Sequence, residues 1–524
     1  MTYLHSPRFS PHHSGIPNVH VADKVELILA KHGPQLSTDV AQKLAAIHGM
    51  SSDAARQAIS RSFTTVRRLK GIVFPHRARF LYLDTHYGMK MFSERLLEAL
   101  KASNHHCYSG LLALTQRGGI LPLEHFKTAC GAPKLQKKQV SADRLIENLL
   151  AANLARSVDV DGVGECIALG TLRDDDIDVP ALKARLVAES LALSAVKEWA
   201  RNLGVGGYNQ VLIRGEADDA PNAGPNYWDL AAPCYLFPLL GKSTEQNKIK
   251  PGSFVCDIYL GGKLSEASIE TFIKKCMNVR GFAKVSPMLQ MFVADSYSSE
   301  AMKRIKANGA IAATIDTALG TEVAQALKQL TQTLTSTAQS AREPEKLDRL
   351  FKALLKIEGA ASTLRGCLFE YVGAEIAREF YNPTDITLNR KVVSQVTGAG
   401  AEIDVLVRVS RKSLVFIECK GHRPNGTVDH AEVEKWLNKR LPTLRDFVKG
   451  HSEYKQCELS FELWTNASLT EASKALITSK QALTDKYRLA YKEGLELLSI
   501  AEQSHNKSLI ATYKQHFRNH PLNT

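Results

Sequence analysis

Apolar residues recur at helical spacing or at every second position along most of this 524-residue chain, and Gly, Pro and Ser punctuate the runs. Val25, Ile28 and Leu29 predict a first helix over residues 21–32, stopped by Gly33-Pro34. Ser37, an N-cap candidate, opens a second helix with Val40, Ala41, Leu44 and Ile47 on one face and Gly49 closing it. Ser51 or Ser52 caps a third over residues 53–65, with Ala54, Ala55, Ala58, Ile59 and Phe63 on its apolar side and Arg56, Gln57, Ser60 and Arg61 on the other. Two β-like runs follow, 71–74 and 79–83, joined by Pro75-His76-Arg77. Residues 90–170 resemble a looser second copy. Helices are predicted over 92–100, 108–114, 123–130 and 141–152, then a hairpin over 158–169 turning at Asp161-Gly162; Lys134, Lys137, Lys138 and Arg144 lie at or just before the last helix.

Asp174-Asp175-Asp176, with Asp178 and Pro180, reads as a boundary. Beyond it the pattern predicts a long helix over 180–203, strands over 210–214 and 253–259, a helix over 265–276, a strand over 289–294, a helix over 298–307 and a strand over 310–314. That order suggests an α/β core with a mixed sheet. Residues 317–358 read as helical, with a Thr/Gln/Ser-rich stretch over 331–340 and Pro344 as breaker. A helix over 361–379 then carries Leu364, Leu368, Val372 and Ile376 as its stripe, with Glu370 beside it. Strands over 386–396, 402–409 and 414–420, a helix over 430–448 interrupted at Pro442, a strand over 459–465, a helix over 470–479 and an amphipathic helix over 485–510 complete the chain.

Composition adds little until it is resolved by region. The apolar share of 44% is that of a globular protein, and no apolar run approaches the ~18–20 residues of a membrane span. Nine scattered cysteines, never spaced as CxxC, suit a reducing cytoplasm better than a disulfide framework or a zinc site. Four histidines in the leader, His5, His12, His13 and His20, read as part of a disordered arm. The net charge of +13 sits at the ends: 21 basic against 13 acidic residues over 1–170, 19 against 20 over 171–345, and 27 against 21 over 346–524. Residues 51–90 alone hold eight Lys/Arg against two Asp, the density of a polyanion-binding face.

Helix, helix, helix and ribbon over 21–88 resemble the winged helix-turn-helix. The resemblance implies that Arg56, Gln57, Ser60 and Arg61 face base edges in the major groove, while Arg67, Arg68, Arg77 and Arg79 meet phosphates. The competing reading is a winged helix used for protein contact.

Candidate chemistry concentrates in residues 400–421, GAEIDVLVRVSRKSLVFIECKG. Alternation puts Glu418 and Lys420 on one face of an apolar strand and Glu402 with Asp404 on one face of the strand before it. A three-residue hairpin loop would set Asp404 opposite Lys420 or Glu418. Carboxylates on a buried strand are costly, and a divalent cation with oxygen ligands is their natural compensation. The stretch resembles the signature of the PD-(D/E)XK, or restriction-endonuclease-like, nuclease superfamily, with Ile403 rather than Pro before the first acid. The resemblance spans about 361–480. It implies that Asp404 and Glu418 hold Mg²⁺ (or Mn²⁺) with help from the Cys419 main-chain carbonyl, that Lys420 orients or deprotonates the attacking water, and that Glu370 assists. The alternative is an ion pair between Glu418 and Lys420 on a sheet edge. His422 and His430 flank the site as surface or phosphate-side residues.

The middle region suggests a degenerate copy: Glu189 on the long helix, Asp229, and Asp257 two residues before Tyr259 where a lysine belongs. The expected organisation is a leader (1–20), a winged helix (21–88), a second winged-helix-like domain (89–172), a degenerate restriction-endonuclease-like α/β domain (173–330), a helical connector (331–358) and an active one with a mixed central sheet (359–524). The expected function is a cytoplasmic, metal-dependent DNA nuclease of endonucleolytic mode, acting on duplex DNA as a homodimer in restriction or anti-phage defence, with an activating or inhibiting partner protein. Its rivals are a non-catalytic DNA-binding regulator or adaptor and an RNA-cleaving nuclease. No Walker A loop is visible, so ATP-driven movement would need a partner.

Overall fold

The computed structural model describes residues 21–61, 65–136, 139–207, 210–216, 220–236, 239–240, 250–282, 285–335, 349–350, 352–354, 357, 360–394, 396–423 and 426–518. Phe63, Lys137, Lys138, Pro344, the leader histidines and most of the predicted connector lie outside them. The chain forms two compact units, one of residues 1–112, 143–156 and 169–172, the other of 113–142, 157–168 and 173–524.

The first unit begins with α1 (Val21–His32), β1 (Gln35–Leu36), α2 (Ser37–His48), α3 (Ser52–Ser60), β2 (Val66–Arg68) and β3 (Phe80–Leu83). The three strands form an antiparallel sheet in the order β1-β3-β2. Val25, Leu29, Val40, Leu44, Ala55, Ala58 and Leu81 fill the core beneath. Gly49 closes α2 at φ 62°, donating its N–H to the Ala45 carbonyl, and the Ser51 hydroxyl accepts the Ala54 N–H at the start of α3. Three local expectations are corrected. Ser37 is the first helical residue rather than the cap, and its hydroxyl accepts the Arg79 N–H. Arg61, just after α3, is extended rather than helical. The first ribbon strand is 66–68, not 71–74, because Gly71 turns at φ +76° where extended backbone cannot continue. Helix α4 (Lys90–Ala102) follows, burying Phe92, Leu96 and Leu100.

Then come α5 (Cys107–Gln116), β4 (Ile120–Pro122), α6 (Leu123–Ala129), α7 (Ala142–Ala151), β5 (Ala155–Val160) and β6 (Gly164–Leu169), the same element order as α1 to β3, with the sheet order β4-β6-β5.

The second unit contains two five-stranded sheets. Helix α8 (Val179–Asn202), capped by the Asp178 carboxylate on the Ala181 N–H, precedes β7 (Leu212–Ile213), a small hairpin β8 (Asn222–Ala223) and β9 (Asn226–Tyr227), and β10 (Leu230–Cys234). After them come β11 (Gly252–Leu264), α9 (Glu270–Arg280), β12 (Met288–Tyr297), α10 (Ser299–Ala307), β13 (Ile311–Thr314), α11 (Ile315–Leu319) and α12 (Thr321–Thr335). Helix α13 (Ala360–Tyr381) opens the second set: β14 (Asp385–Val393), β15 (Gly400–Ser410), β16 (Ser413–Lys420), α14 (His430–Lys435), α15 (Leu441–Gly450), β17 (Glu458–Thr465), α16 (Glu471–Ala482), β18 (Arg488–Lys492), α17 (Gly494–Gln503) and α18 (Lys507–Tyr513).

The sheets run β7-β10-β11-β12-β13 and β14-β15-β16-β17-β18, each with two antiparallel pairings followed by two parallel ones. One apolar cluster joins them, with Leu191, Val196 and Ile258 in continuity with Leu364, Leu368, Val405 and Ile417. Strand β10 escaped the sequence reading because Leu-Ala-Ala-Pro-Cys lacks β-branched residues; pairing on both sides makes it a strand. The helix expected over 485–510 is instead an edge strand, β18, and two short helices. No helix among the described residues is long and apolar enough to cross a membrane.

Candidate functional site

The acid-x-lysine strand delivers its polar residues at its carboxyl end. Strands β15 and β16 meet through a turn tighter than expected, with Ser410 opposite Ser413 and an irregular step at Arg408. The register Val405 to Ile417 then sets Asp404 abreast of Glu418, one of the two pairings anticipated. The Asp404 Oδ2 accepts the Cys419 N–H at 2.7 Å, which pins the carboxylate to the end of β16. Lys420 Nζ stands 3.0 Å from Glu418 Oε1 and 3.8 Å from Glu432 on α14. Helix α13 buries its stripe and turns Glu370 toward the same place, on a cavity of about 870 Å³ that Glu402, Asp404, Lys420 and Arg440 also line.

Two cations escaped the sequence reading. Arg440 ion-pairs with Glu418 through Nη1, which lies 4.0 Å from Asp404 Oδ1, and reaches Asp161 Oδ1 with Nη2 at 2.9 Å. It ends a π-type turn, Trp436–Arg440, two residues before Pro442, the interruption predicted in this helix. Lys183 on α8 ion-pairs with Glu402, so Glu402 is a buried, paired residue. Lys183 and Arg440 are 219 and 22 positions from their partners, a separation that no local motif encodes.

Four carboxyls, Glu370, Glu402, Asp404 and Glu418, thus face three cations. Burial, then the neighbouring Glu418, raises Asp404 to about 7, against the pull of Lys420 and Arg440. Burial, then Asp404 and Glu402, holds Glu370 well above the usual carboxylate range; it lies deep in the fold yet opens on the cavity. No ion pair reaches Glu370 among the described residues. Burial pulls Lys420 down, but Glu418 and Asp404 outweigh it and the ammonium stays protonated. A surplus of hard oxygen donors with two carboxyls pushed toward protonation is a set that a Mg²⁺- or Mn²⁺-type cation fits. The Cys419 side chain is a core thiol raised by burial; only its backbone belongs to the site.

These shifts have a sign. Because the folded value of Asp404 exceeds its ordinary 3.8, the folded chain holds the extra proton between about 4 and 7. The corresponding stability is full below 3.8 and lost as pH rises through about 7. Denaturant titrations from pH 4 to 8 without metal should show stability falling with pH, and Asp404→Asn should flatten that slope by up to about 1.4 kcal/mol per pH unit. An unchanged slope would remove the assignment of this proton.

The middle sheet holds a parallel arrangement in closed form. Asp229 Oδ2 accepts the Ile258 N–H at 2.8 Å, as Asp404 accepts that of Cys419; each donor follows an acid, Asp257 or Glu418. Arg214 bridges Asp229 and Glu189 at 2.6 Å each, and Lys275 pairs with Asp257 at 2.5 Å beneath Trp228. All five charged side chains are buried. Tyr259 stands where Lys420 does, with the guanidiniums of Arg117 and Arg185 at 5.2 and 5.1 Å from the centre of its ring.

In the first unit, Arg56, Gln57, Ser60 and Arg61 are exposed opposite the buried Ala55, Ala58 and Ile59. Arg77 and Arg79 are also exposed. Arg67 is held by both oxygens of Asp84, at 2.6 and 2.9 Å, and Arg68 ties down the Ile59 and Arg61 carbonyls, so both already have internal work. His422 lines the cavity, whereas His430 Nδ1 lies 2.8 Å from the Ser473 hydroxyl. The described cysteines are free thiols; His105, His106 and Cys107 bring three ligand-type atoms within 4.8 Å, yet Asn148 faces His106 and the Cys107 N–H donates to His105.

No protein-family model, curated protein or solved structure matches the chain.

Proposed function

We propose that this protein is a metal-dependent nuclease of the PD-(D/E)XK type that cleaves phosphodiester bonds in DNA. The observation that carries this reading is the meeting of Asp404, Glu418, Lys420 and Glu370 near the carboxyl end of β16, beside a cavity that Asp404, Lys420 and Glu370 line. Crevices at the carboxyl ends of strands are where α/β sheets bind ligands. The sheet order and strand directions of β14 to β18 fit a restriction-endonuclease-like core, and the matching order of β7 to β13 supports reading the middle sheet as a second copy. In that copy Arg214 and Lys275 neutralise the acids internally and Tyr259 replaces the lysine, which supports a scaffold role.

In the catalytic copy, Asp404 and Glu418 would hold the divalent cation, with Glu370 completing the acidic wall. When bound, such an ion polarises a phosphate oxygen and makes a water acidic enough to attack near neutral pH. Lys420, kept protonated by its acids, donates to the phosphate or orients the water and is not the base. Arg440 offers a guanidinium to the same phosphate. The adaptor alternative expects Asp404, Glu418 and Lys420 to stand apart, and their proximity disfavours it.

The order α1-β1-α2-α3-β2-β3 with its 1-3-2 sheet supports a winged helix whose α3 reads duplex DNA. Substituting Arg56 and Arg61 together by Ala should weaken binding to duplex DNA by at least about tenfold and lower its salt dependence, measured by fluorescence anisotropy. Arg67→Ala should matter less, since Asp84 already holds that side chain. Equal effects would remove α3 as the reading element. The test of activity itself is incubation of supercoiled plasmid, linear duplex and RNA with Mg²⁺ or Mn²⁺; preferential loss of RNA would transfer the reading to an RNA nuclease.

A further inference from the structure

We propose that the tip of the β5–β6 hairpin, Asp161-Gly162, is an acidic plug over this site, and that Asp161 takes on Arg440 the place of a nucleic-acid phosphate; this rests on the nuclease reading. Both tip residues sit on cations that neutralise site carboxylates. Asp161 Oδ1 accepts from Arg440 Nη2 at 2.9 Å, while Nη1 of the same guanidinium holds Glu418. Gly162, at φ +75°, lies so close to Lys183, the partner of Glu402, that an added Cβ would stand 2.9 Å from its Nζ. Val163 and Glu165 extend the hairpin along the cavity wall.

Asp161 caps Arg440 through Nη2, the nitrogen that does not hold Glu418, so it occupies that end of the guanidinium without joining the carboxylate group. Carboxylate and phosphate present the same kind of oxygen pair to an arginine fork, so the two compete for it. The contact is also incomplete: Asp161 Oδ2 is buried without a hydrogen-bond partner. A buried acceptor left unsatisfied weakens the net contact, which suits a plug that a DNA backbone, itself rich in acceptors, can displace. An acidic tip over an acidic site further repels a phosphodiester until the tip leaves.

The test uses the full-length chain. Affinity for a duplex oligonucleotide is measured in EDTA for wild type, Asp161→Asn and Asp159→Asn, the last removing the same charge from an exposed position on the adjoining strand β5. Hydrogen exchange over residues 157–168 is followed with and without duplex, and cleavage is assayed in Mg²⁺ and Mn²⁺. The expected result is about tenfold tighter binding by Asp161→Asn alone, with duplex speeding exchange at the tip in wild type. Gly162→Asn, which keeps Asp161 but crowds Lys183, should act in the same direction and stands in if Asp161→Asn fails to fold. Wild-type affinity in both tip variants, with tip exchange indifferent to duplex, overturns the plug. Tighter binding without cleavage by any form keeps the plug and removes the nuclease reading; cleavage by wild type with unchanged affinities does the reverse.

Discussion

Asp404→Asn should reduce metal-dependent cleavage of DNA by at least about a thousandfold in single-turnover assays while leaving the chain folded. On the proposed function, the size follows from losing a charged ligand of the cation that would stabilise transition-state charge, a contribution of several kcal/mol at about 1.4 kcal/mol per factor of ten. The amide is nearly isosteric and can still accept the Cys419 N–H, so β15 and β16 stay joined. It also removes a carboxyl that burial and Glu418 drive to about 7, so the variant should unfold at a temperature no lower than wild type at pH 8. Lys420→Ala should share the loss of cleavage, since on the proposed function the ammonium donates to the phosphate or orients the water, and should bind metal no more weakly because it removes a competing cation. Equal cleavage by wild type and both variants would sink the site assignment. Inactivity of all three in every substrate and metal would favour the adaptor reading or an absent activating partner, and metal binding followed by calorimetry would separate these.

Arg214→Ala should destabilise the second unit by about 3 to 5 kcal/mol, the largest effect expected of any single substitution in the middle sheet. Arg214 is the common partner of Glu189 and Asp229, all three buried, and those acids also accept the Leu260 and Ile258 N–H groups of β11. Deleting the guanidinium leaves two carboxylates uncompensated beside Asp257, which burial already pushes to about 6 despite Lys275. Urea unfolding at pH 7.5 measures the loss. Replacing the trio together, as Glu189→Gln, Arg214→Met and Asp229→Asn, should recover much of the stability. A loss under about 1 kcal/mol would show that the network does not hold this sheet together. The contrast between the sheets is physical: in one, every buried acid of the set is ion-paired to Arg214 or Lys275, whereas the other leaves Glu370 without an ion pair among the described residues, on a cavity.

The sequence by itself determined the elements whose signals are local. Helix α1 was marked by its apolar spacing and by Gly33-Pro34, α2 by Gly49, and α13 by a four-residue stripe. Alternation in Leu-Val-Phe-Ile-Glu-Cys-Lys was enough to put Glu418 and Lys420 on one face, since period two is a property of the strand alone. Register was only narrowed, because it depends on a turn whose length differs by a residue from the one expected. Where a strand exists only because neighbours pair with it, as for β10 and β18, the residues carried little signal. What tertiary structure alone decided is the electrostatics of the site. Lys183, Arg440 and Asp161 come from distant parts of the chain and meet the acids through packing, and the same packing consumes Arg67 and Arg68 internally. Charge interactions act through space at a few ångströms and burial sets their strength, so the pattern named the acids and the lysine, but only the fold decided which of them are neutralised and which remain in excess.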